Sequence, residues 1–282
     1  MTALDRRLNA FRPDLADERL RGRVEARRFA AGRPAVVAVP VADMKSAPAP
    51  EAGLDSQLLR GDAVAVFDEK DGWAWVQSAR DAYVGYVRDD ALAAPLAAPT
   101  HVVAVPRSFV YARDDLKSPR LEALSMGSGV AVSGDVENRG TRYALLAGGG
   151  AMIAAHLRPA GRHADDYVAV AETLERTPYL WGGASGFGLD CSGLVQLAMR
   201  MAGRAAPRDT DMQERAFAPV DPAAGLRRGD LVFWKGHVAV MLDGDTVIHA
   251  NGHTMLVSRE TLAGAVGRIE RLYGRPTGFR RP

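Results

Sequence analysis

The sequence contains a single cysteine, Cys191, among its 282 residues. One thiol cannot form an intramolecular disulfide, so the fold does not depend on an oxidising compartment. On composition alone, a lone cysteine is most often a small buried apolar residue. Any chemical role for Cys191 must therefore be argued from the residues around it.

The chain also lacks a charge imbalance and a long apolar run. Its 36 basic and 34 acidic side chains give a net charge of +2, which offers no electrostatic basis for binding nucleic acid. Residues 1–33 are rich in arginine and have neither the apolar segment nor the cleavage site of a secretory signal. No stretch approaches the length of a transmembrane helix. We therefore expect a cytoplasmic protein with no nucleic-acid or membrane partner.

A glycine-rich loop precedes Cys191 and leads into a predicted helix. Apolar residues recur at helical spacing from Leu194 to Ala202, and Gly203 supplies a stop. Asp190 stands where an N-cap residue would, so we expect Cys191 at or near the first helical position. The unpaired N–H groups and the positive end of the helix dipole favour an anion there. This placement predicts a nucleophilic thiolate.

Two histidines follow Cys191 on predicted neighbouring strands. Strand patterns cover residues 231–234, 237–242 and 246–252, with turn residues between them. His237 opens one strand and His249 closes its hairpin partner, so the two imidazoles can lie near each other at one end of the sheet. A cysteine with downstream histidines is a candidate nucleophile system.

These stretches resemble the NlpC family of papain-like cell-wall peptidases. The resemblance covers roughly residues 164–282 and is carried by six motifs in the family's order: Pro178-Tyr-Leu-Trp-Gly-Gly, Asp190-Cys-Ser-Gly-Leu, Pro207-Arg-Asp-Thr, Arg228-Gly-Asp-Leu-Val-Phe-Trp, Gly236-His-Val-Ala-Val and Ile248-His-Ala. It implies that Cys191 is the nucleophile, His237 the general base and His249 the third residue, which orients His237.

The same resemblance implies roles for residues beside the nucleophile. The hydroxyl of Tyr179 would line the active site and assist the oxyanion hole together with the backbone N–H of Cys191. Trp181 is expected to be a core residue. Ser192 and Thr210 would contact the D-glutamyl part of the substrate, although each is equally compatible with a plain helix or turn position.

Two further residues are expected to restrict the substrate. By resemblance, Asp209 would meet the ammonium group of a substrate with a free N-terminal L-alanine. The alternative is that Asp209 only pairs with Arg208 on the surface. Tyr83, in an earlier domain, would help to close the far end of the cleft; strand alternation does not decide between Tyr83 and Tyr86 for this position.

The first half of the chain has the pattern of small β-domains. Short strand runs with close turn signals extend from about residue 35 to residue 96 and resemble a bacterial SH3-like domain. A second series follows, in which Leu121-Glu-Ala-Leu-Ser-Met-Gly parallels Gln57-Leu-Leu-Arg-Gly-Asp, so we interpret it as a diverged repeat. An amphipathic helix is predicted from Asp165 to Thr177.

Together these patterns predict an α+β protein with two small SH3-like β-barrels before a papain-like cysteine peptidase domain. The expected boundaries are 1–34 for a helical N-terminal extension, 35–96 and 97–160 for the barrels, and 161–282 for the catalytic domain. The histidines are not spaced with other ligands as in a metal site, so we expect no metal and no cofactor.

The resemblance implies hydrolysis of the γ-D-glutamyl-L-diamino acid bond in murein peptides, in recycling of cell-wall peptides. Two alternatives remain at this point. One is a wall-binding protein or hydrolase whose SH3-like domains recognise the cell wall. The other is an amidase or acyltransferase on the same fold.

Overall fold

The computed structural model describes residues 4–95 and 98–282. The chain divides into two compact units, Met1–Ala160 and Gly161–Pro282. The second unit begins at the residue where the predicted catalytic domain begins. The predicted junction between the two SH3-like domains, at Leu96 and Ala97, lies outside the described residues.

The N-terminal extension was predicted to be helical, and this prediction is wrong. Strands β1 (Leu15–Asp17) and β2 (Arg28–Ala30) pair in parallel, and within residues 4–34 the helical content is one 3-10 turn at Glu18–Leu20. Leu15 is buried in a cluster with Phe67 and Trp75 of the first barrel. Tertiary packing of single apolar residues thus outweighs local helical propensity here.

Seven strands form the first barrel, in the order β5-β4-β8-β7-β6-β3-β9. A 3-10 turn precedes the last strand. The strands are β3 (Arg33–Val37), β4 (Val41–Lys45), β5 (Leu54–Leu59), β6 (Ala63–Lys70), β7 (Trp73–Ser78), β8 (Val84–Arg88) and β9 (Leu92–Ala93).

The second barrel repeats this order. Its sheets run β12-β11-β16-β15-β14 and β13-β10-β17, so β13 and β14 together take the place of β6, and a 3-10 turn again precedes the last strand. The strands are β10 (His101–Val103), β11 (Arg107–Tyr111), β12 (Arg120–Ser125), β13 (Gly129–Val130), β14 (Val132–Asn138), β15 (Thr141–Leu146), β16 (Ala151–Ile153) and β17 (Leu157–Pro159).

The two barrels also share a turn with the same backbone hydrogen bonds. Gly61 donates to the carbonyl of Val37, and Gly127 donates to Val103, each at 2.9 Å and at a constant offset of 66 residues. Both glycines have positive φ, 84° and 86°, a conformation that residues with a Cβ rarely adopt. Shared topology and shared hydrogen bonds support the predicted repeat.

The second unit contains four helices and eight strands among its described residues. They are α1 (Tyr167–Thr173), β18 (Ala184–Ser185), β19 (Gly188–Leu189), α2 (Cys191–Met201), α3 (Thr210–Ala216), β20 (Ala218–Pro219), β21 (Leu231–Trp234), β22 (His237–Met241), β23 (Thr246–Asn251), β24 (Leu256–Thr261), α4 (Leu262–Tyr273) and β25 (Gly278–Arg281). Six of the strands form a sheet in the order β20-β25-β21-β22-β23-β24.

Helix α1 is shorter than the predicted helix over 165–177. It begins after Asp166, whose side chain accepts a hydrogen bond from the N–H of Val168, and it ends at Thr173. Arg176 has φ of 68°, which is incompatible with a continuing right-handed helix, and its N–H donates to Val257 of β24. The chain is therefore already turning toward the sheet at this point.

One face of the six-stranded sheet packs against α4. Its core contains Val232 and Trp234 of β21, Ala239 and Met241 of β22 and Val247 of β23, together with Ala265 and Ile269 of α4. Because side chains alternate along a strand, the residues two positions before Ala239 and two after Val247 share this face. These residues are His237 and His249.

Two helical glycines provide a matched test of packing around α2. A Cβ at Gly193 would overlap the carbonyl oxygen of Gly183, whereas one at Gly267 in α4 would meet no described atom within 4 Å. We expect Gly193→Ala to lower the free energy of unfolding by about 1–3 kcal/mol, as overpacking does. Gly267→Ala should raise it by about 0.5–1 kcal/mol, since alanine is the better helix former. Denaturant unfolding of both variants measures this, and an unaffected Gly193→Ala would contradict it.

Candidate active site

The nucleophile stands at the start of a buried helix. Cys191 is the first residue of α2, and the side chain of Asp190 caps the helix by accepting a hydrogen bond from the N–H of Gly193 at 2.7 Å. The second carboxylate oxygen accepts from the N–H of Gly182 at 3.1 Å, which ties the glycine-rich loop to the helix. The predicted N-cap and helix start are confirmed.

A buried ion pair supports this cap. The guanidinium of Arg208 is 1% exposed and donates to both oxygens of Asp190, at 3.0 and 2.6 Å. The hydroxyl of Ser192 donates to Asp190 at 3.1 Å and accepts from Arg208 at 2.9 Å. Arg208 is therefore buried and does not lie on the surface, where the alternative interpretation placed it. We did not predict this ion pair. The only sign of it in the sequence is that Asp190 and Arg208 each lie within one of the recognised motifs.

The thiol of Cys191 is buried against the backbone that flanks His237. Its Sγ lies 3.9 Å from the carbonyl oxygen of Gly236. Burial raises the pKa of the thiol to about 12, the negative charge of Asp190 acts in the same direction, and backbone hydrogen bonds from Val238 and Ser192 oppose it. Burial thus opposes the preference of the helix N-terminus for an anion, and the resting thiolate stays a prediction.

The two predicted histidines meet in space. The Nε2 of His237 lies 2.8 Å from the Nδ1 of His249, and the ring centroids are 5.0 Å apart. His249 is fully buried, whereas His237 retains partial exposure. Burial first, then the neighbouring His249 and Arg268, lower the pKa of His237 to about 3. Burial therefore favours the neutral form of both the thiol and the imidazole.

Two further residues, which we did not predict, continue the hydrogen-bonded contacts beyond His237 and His249. Glu260 of β24 lies 2.8 Å from the Nε2 of His249, and Arg268 of α4 donates to the same carboxylate oxygen. The hydrogen bond from His249 lowers the pKa of Glu260 to about 2, with burial opposing it and Arg268 adding to it. Strand pairing aligns His249 with Ser258, so Glu260 is the diagonal neighbour on the same face. Predicting Glu260 as a neighbour of His249 would have required the register between β23 and β24.

Tyr179 and Trp181 differ in their surroundings. Tyr179 is partly buried, and its pKa is raised to about 12, by burial first and then by electrostatic interaction with Cys191 and Asp190. Its hydroxyl therefore lies in the electrostatic environment of the nucleophile. Trp181, expected in the core, is 70% exposed. That expectation is wrong, because the loop bearing Trp181 turns its backbone inward toward Asp190.

The residues expected to bind substrate occupy different positions. Ser192 is buried within the Asp190–Arg208 pair, and Thr210 is the first residue of α3, partly exposed. Asp209 is the N-cap residue of α3, so its carboxylate stands at the positive end of that helix. The substrate contacts of these three residues remain predictions.

Tyr83 belongs to the first unit. It is buried immediately before β8, and its N–H donates to Asp81 at 3.1 Å. Tyr86, the alternative, is partly buried in β8, and its hydroxyl accepts from Arg12 at 3.2 Å. The choice between them as a residue of the cleft remains a prediction.

His253 is exposed. Over residues 4–95 and 98–282, no group of three or more His, Cys, Asp and Glu side chains is arranged to hold a metal ion. Within the same described ranges, no helix has the length and apolar character needed to cross a membrane.

Comparison with known proteins identifies two domain types. Residues 44–92 match the bacterial dipeptidyl-peptidase Sh3 domain, and residues 176–267 match the NlpC/P60 family. Dipeptidyl-peptidase 6 of Lysinibacillus sphaericus is 27% identical over 77% of this chain and 87% of its own length. Gamma-D-glutamyl-L-lysine dipeptidyl-peptidase of Bacillus subtilis is 27% identical over 70% of this chain and 72% of its own length.

A solved structure agrees with the fold. The crystal structure of an NlpC/P60 family protein from Bacillus cereus aligns with a TM-score of 0.73 and 23% identity, over 88% of this chain and 99% of that one. The solved structure supports the papain-like fold. The matches to the NlpC/P60 model and to the dipeptidyl-peptidase relatives show a peptidase, a hydrolase of peptide bonds, with an SH3-like domain before the NlpC/P60 match.

The raised pKa of the thiol predicts how alkylation depends on pH. Only the thiolate reacts with iodoacetamide, and its fraction rises roughly tenfold per pH unit below the pKa. We therefore expect the alkylation rate of Cys191 to climb steadily from about pH 6 to pH 10, whereas free cysteine levels off above about pH 8.5. Mass spectrometry of the single modified residue measures the rate. A plateau near neutral pH would instead indicate a resting thiolate–imidazolium pair.

Proposed function

We propose that the second unit cleaves the γ-D-glutamyl-L-diamino acid bond of murein peptides through a cysteinyl acyl-enzyme. The observation that carries the proposal is the meeting of Cys191, at the start of α2, with the backbone around His237, whose ring contacts His249 at 2.8 Å. The Bacillus subtilis relative, named for a γ-D-glutamyl-L-lysine bond, supports this substrate class.

The reaction begins with proton transfer from Cys191. As substrate enters, His237 takes the thiol proton and the sulfur attacks the glutamyl carbonyl carbon. Because burial favours the neutral form of both groups, we assign this proton transfer to the step in which the sulfur attacks. His249 holds the imidazole of His237 in place, as the acid of a serine triad does.

The tetrahedral intermediate then carries a negative oxygen. We assign its stabilisation to the backbone N–H of Cys191 and the hydroxyl of Tyr179, whose high pKa keeps it protonated as a donor. His237 returns its proton to the leaving amine, the C–N bond breaks, and a thioester remains. Water, deprotonated by His237, hydrolyses the thioester and releases the acid product.

Specificity for a free N-terminal L-alanine would come from Asp209, with Ser192 and Thr210 contacting the D-glutamyl portion. A carboxylate at the start of α3, 18 residues after the nucleophile in sequence, has the charge that an ammonium group requires. The assignment of Tyr83 as a substrate-binding residue stays a prediction.

A requirement for a free amino terminus would limit the enzyme to released peptides. We propose a cytoplasmic role in recycling such peptides. Cell fractionation, followed by detection with an antibody to the protein, tests this location. A wall-binding hydrolase would also cleave intact sacculi. An amidase would release sugar–peptide products, which mass spectrometry distinguishes from L-Ala-γ-D-Glu.

The proposed roles predict a graded loss of turnover. Cys191→Ala should lower kcat on the order of 10⁴-fold or more, as loss of a nucleophile does. His237→Ala should approach that loss, and His249→Ala should be milder because water can replace an orienting group in part. His253→Ala serves as the matched control, since His253 is exposed. Substantial turnover by purified Cys191→Ala would contradict the mechanism, and a requirement for His253 would contradict the choice of His249.

The proposed ammonium site predicts a specific effect of Asp209. Truncating one partner of a buried ammonium–carboxylate pair removes about 2–5 kcal/mol, which corresponds to roughly 30-fold to several thousand-fold in kcat/KM. Asp209→Ala should show this loss with L-Ala-γ-D-Glu-L-Lys, and N-acetylation of the peptide should produce a similar loss in the unmodified enzyme. Asp211→Ala is the control, because Asp211 forms an exposed pair with Arg215 at 2.9 Å on the same helix. Equal cleavage of the peptide, its N-acetyl form and sacculi would contradict recycling.

A further inference from the structure

A row of hydrogen-bonded side chains runs from the general base to α4. His237 contacts His249, His249 contacts Glu260, and Glu260 accepts from Arg268. The rings of His237 and His249 both lie on the sheet face that α4 covers. This row continues past the three residues that the proposed mechanism uses.

The chemistry of Glu260 determines where the ring protons must be. An ionised carboxylate can only accept hydrogen bonds, so the Nε2 of His249, 2.8 Å away, must carry a proton. In a neutral ring the Nδ1 of His249 is then bare and accepts. The Nε2 of His237, 2.8 Å from that Nδ1, must therefore be the donor.

The tautomer of His237 decides which of its two nitrogens can accept the proton of Cys191. A neutral His237 that carries its proton on Nε2 has a bare Nδ1, and this nitrogen is then the one able to accept a proton. From this geometry we infer that Glu260 is a positioning residue, which sets the tautomers of both histidines and so keeps His237 in the form of a base. The inference rests on the proposed role of His237 as general base for Cys191.

Arg268 fixes the carboxylate in turn. Its guanidinium donates to the Glu260 oxygen that also accepts from His249, and both side chains are only 26% exposed. The ionised state of Glu260 agrees with its lowered pKa. When His237 takes the thiol proton, its positive charge is also balanced through His249 by the negative charge of Glu260. The charged and titratable groups of this row are therefore His237, His249, Glu260 and Arg268.

Glu260→Gln tests the inference because an amide can donate where a carboxylate cannot. The amide N–H that this substitution introduces can donate a hydrogen bond to the Nε2 of His249 when that nitrogen is bare. The proton of His249 then lies on its Nδ1 and is donated to the Nε2 of His237. His237 in turn carries its own proton on Nδ1. We expect kcat for L-Ala-γ-D-Glu-L-Lys to fall about tenfold to a hundredfold, the range seen when a carboxylate that orients a functional histidine is removed. KM should change less than about twofold, since Glu260 acts on the nucleophile only through His249 and His237.

A proton–nitrogen correlation spectrum of the histidine rings measures the tautomers without reference to activity. In the unmodified protein both His237 and His249 should carry the proton on Nε2. In Glu260→Gln a fraction of His237 should carry it on Nδ1. Glu260→Asp, which keeps an acceptor-only group, should retain the original tautomers and lose less kcat than Glu260→Gln. Glu270→Gln, at an exposed pair with Arg275 near the end of α4, is the matched control and should change neither property.

Three results would overturn the inference. The first is a proton on the Nδ1 of His237 in the unmodified protein. The second is full kcat in Glu260→Gln. The third is a loss of kcat in Glu260→Gln with unchanged tautomers, which would indicate a merely structural role. The first needs no variant and applies even where Glu260→Gln fails to fold. If the unmodified protein cleaves no murein peptide while its histidine tautomers respond to Glu260→Gln, the proposed function fails and the control of the tautomers stands.

Discussion

The carboxylate of Asp190 is the interaction on which the catalytic unit depends. It caps α2 at Gly193, holds the glycine-rich loop through Gly182, and receives both Nη groups of Arg208. A buried carboxylate without partners would be strongly unfavourable, so these donors are a condition of its presence. The same charge also raises the pKa of the neighbouring thiol. One group thus fixes the position of the nucleophile and adds to the effect of burial, which raises the pKa of the thiol.

What could be predicted from the sequence followed from local patterns. The N-cap at Asp190, the start of α2 and the hairpin that unites His237 with His249 are each specified within a few residues, and the structure contains all of them. Glu260 required the register between two strands, because its distance from His249 depends on the cross-strand diagonal. The raised pKa of the thiol was missed for a different reason: helix position is visible in a sequence, whereas the depth of burial that opposes ionisation is a property of the whole fold.

The two barrels illustrate how much sequence can change under a constant backbone. The turn at Gly61 is reproduced at Gly127 with the same donors and acceptors, although the flanking residues differ in charge and size. Positive φ at both glycines and the strand order are the features retained. By contrast, the leucines of the N-terminal extension suggested a helix, and burial of Leu15 against Phe67 and Trp75 determined the structure instead.

The raised pKa of Cys191 bears on how long the enzyme survives in the presence of peroxides. Peroxides attack thiolates, and the resulting sulfenic acid is normally rescued by a second thiol that forms a disulfide. This chain has no second cysteine to perform that rescue. A nucleophile that stayed ionised between turnovers would be exposed to overoxidation, which is irreversible. A sulfur that loses its proton only with substrate bound confines that vulnerability to the moments when the site is occupied.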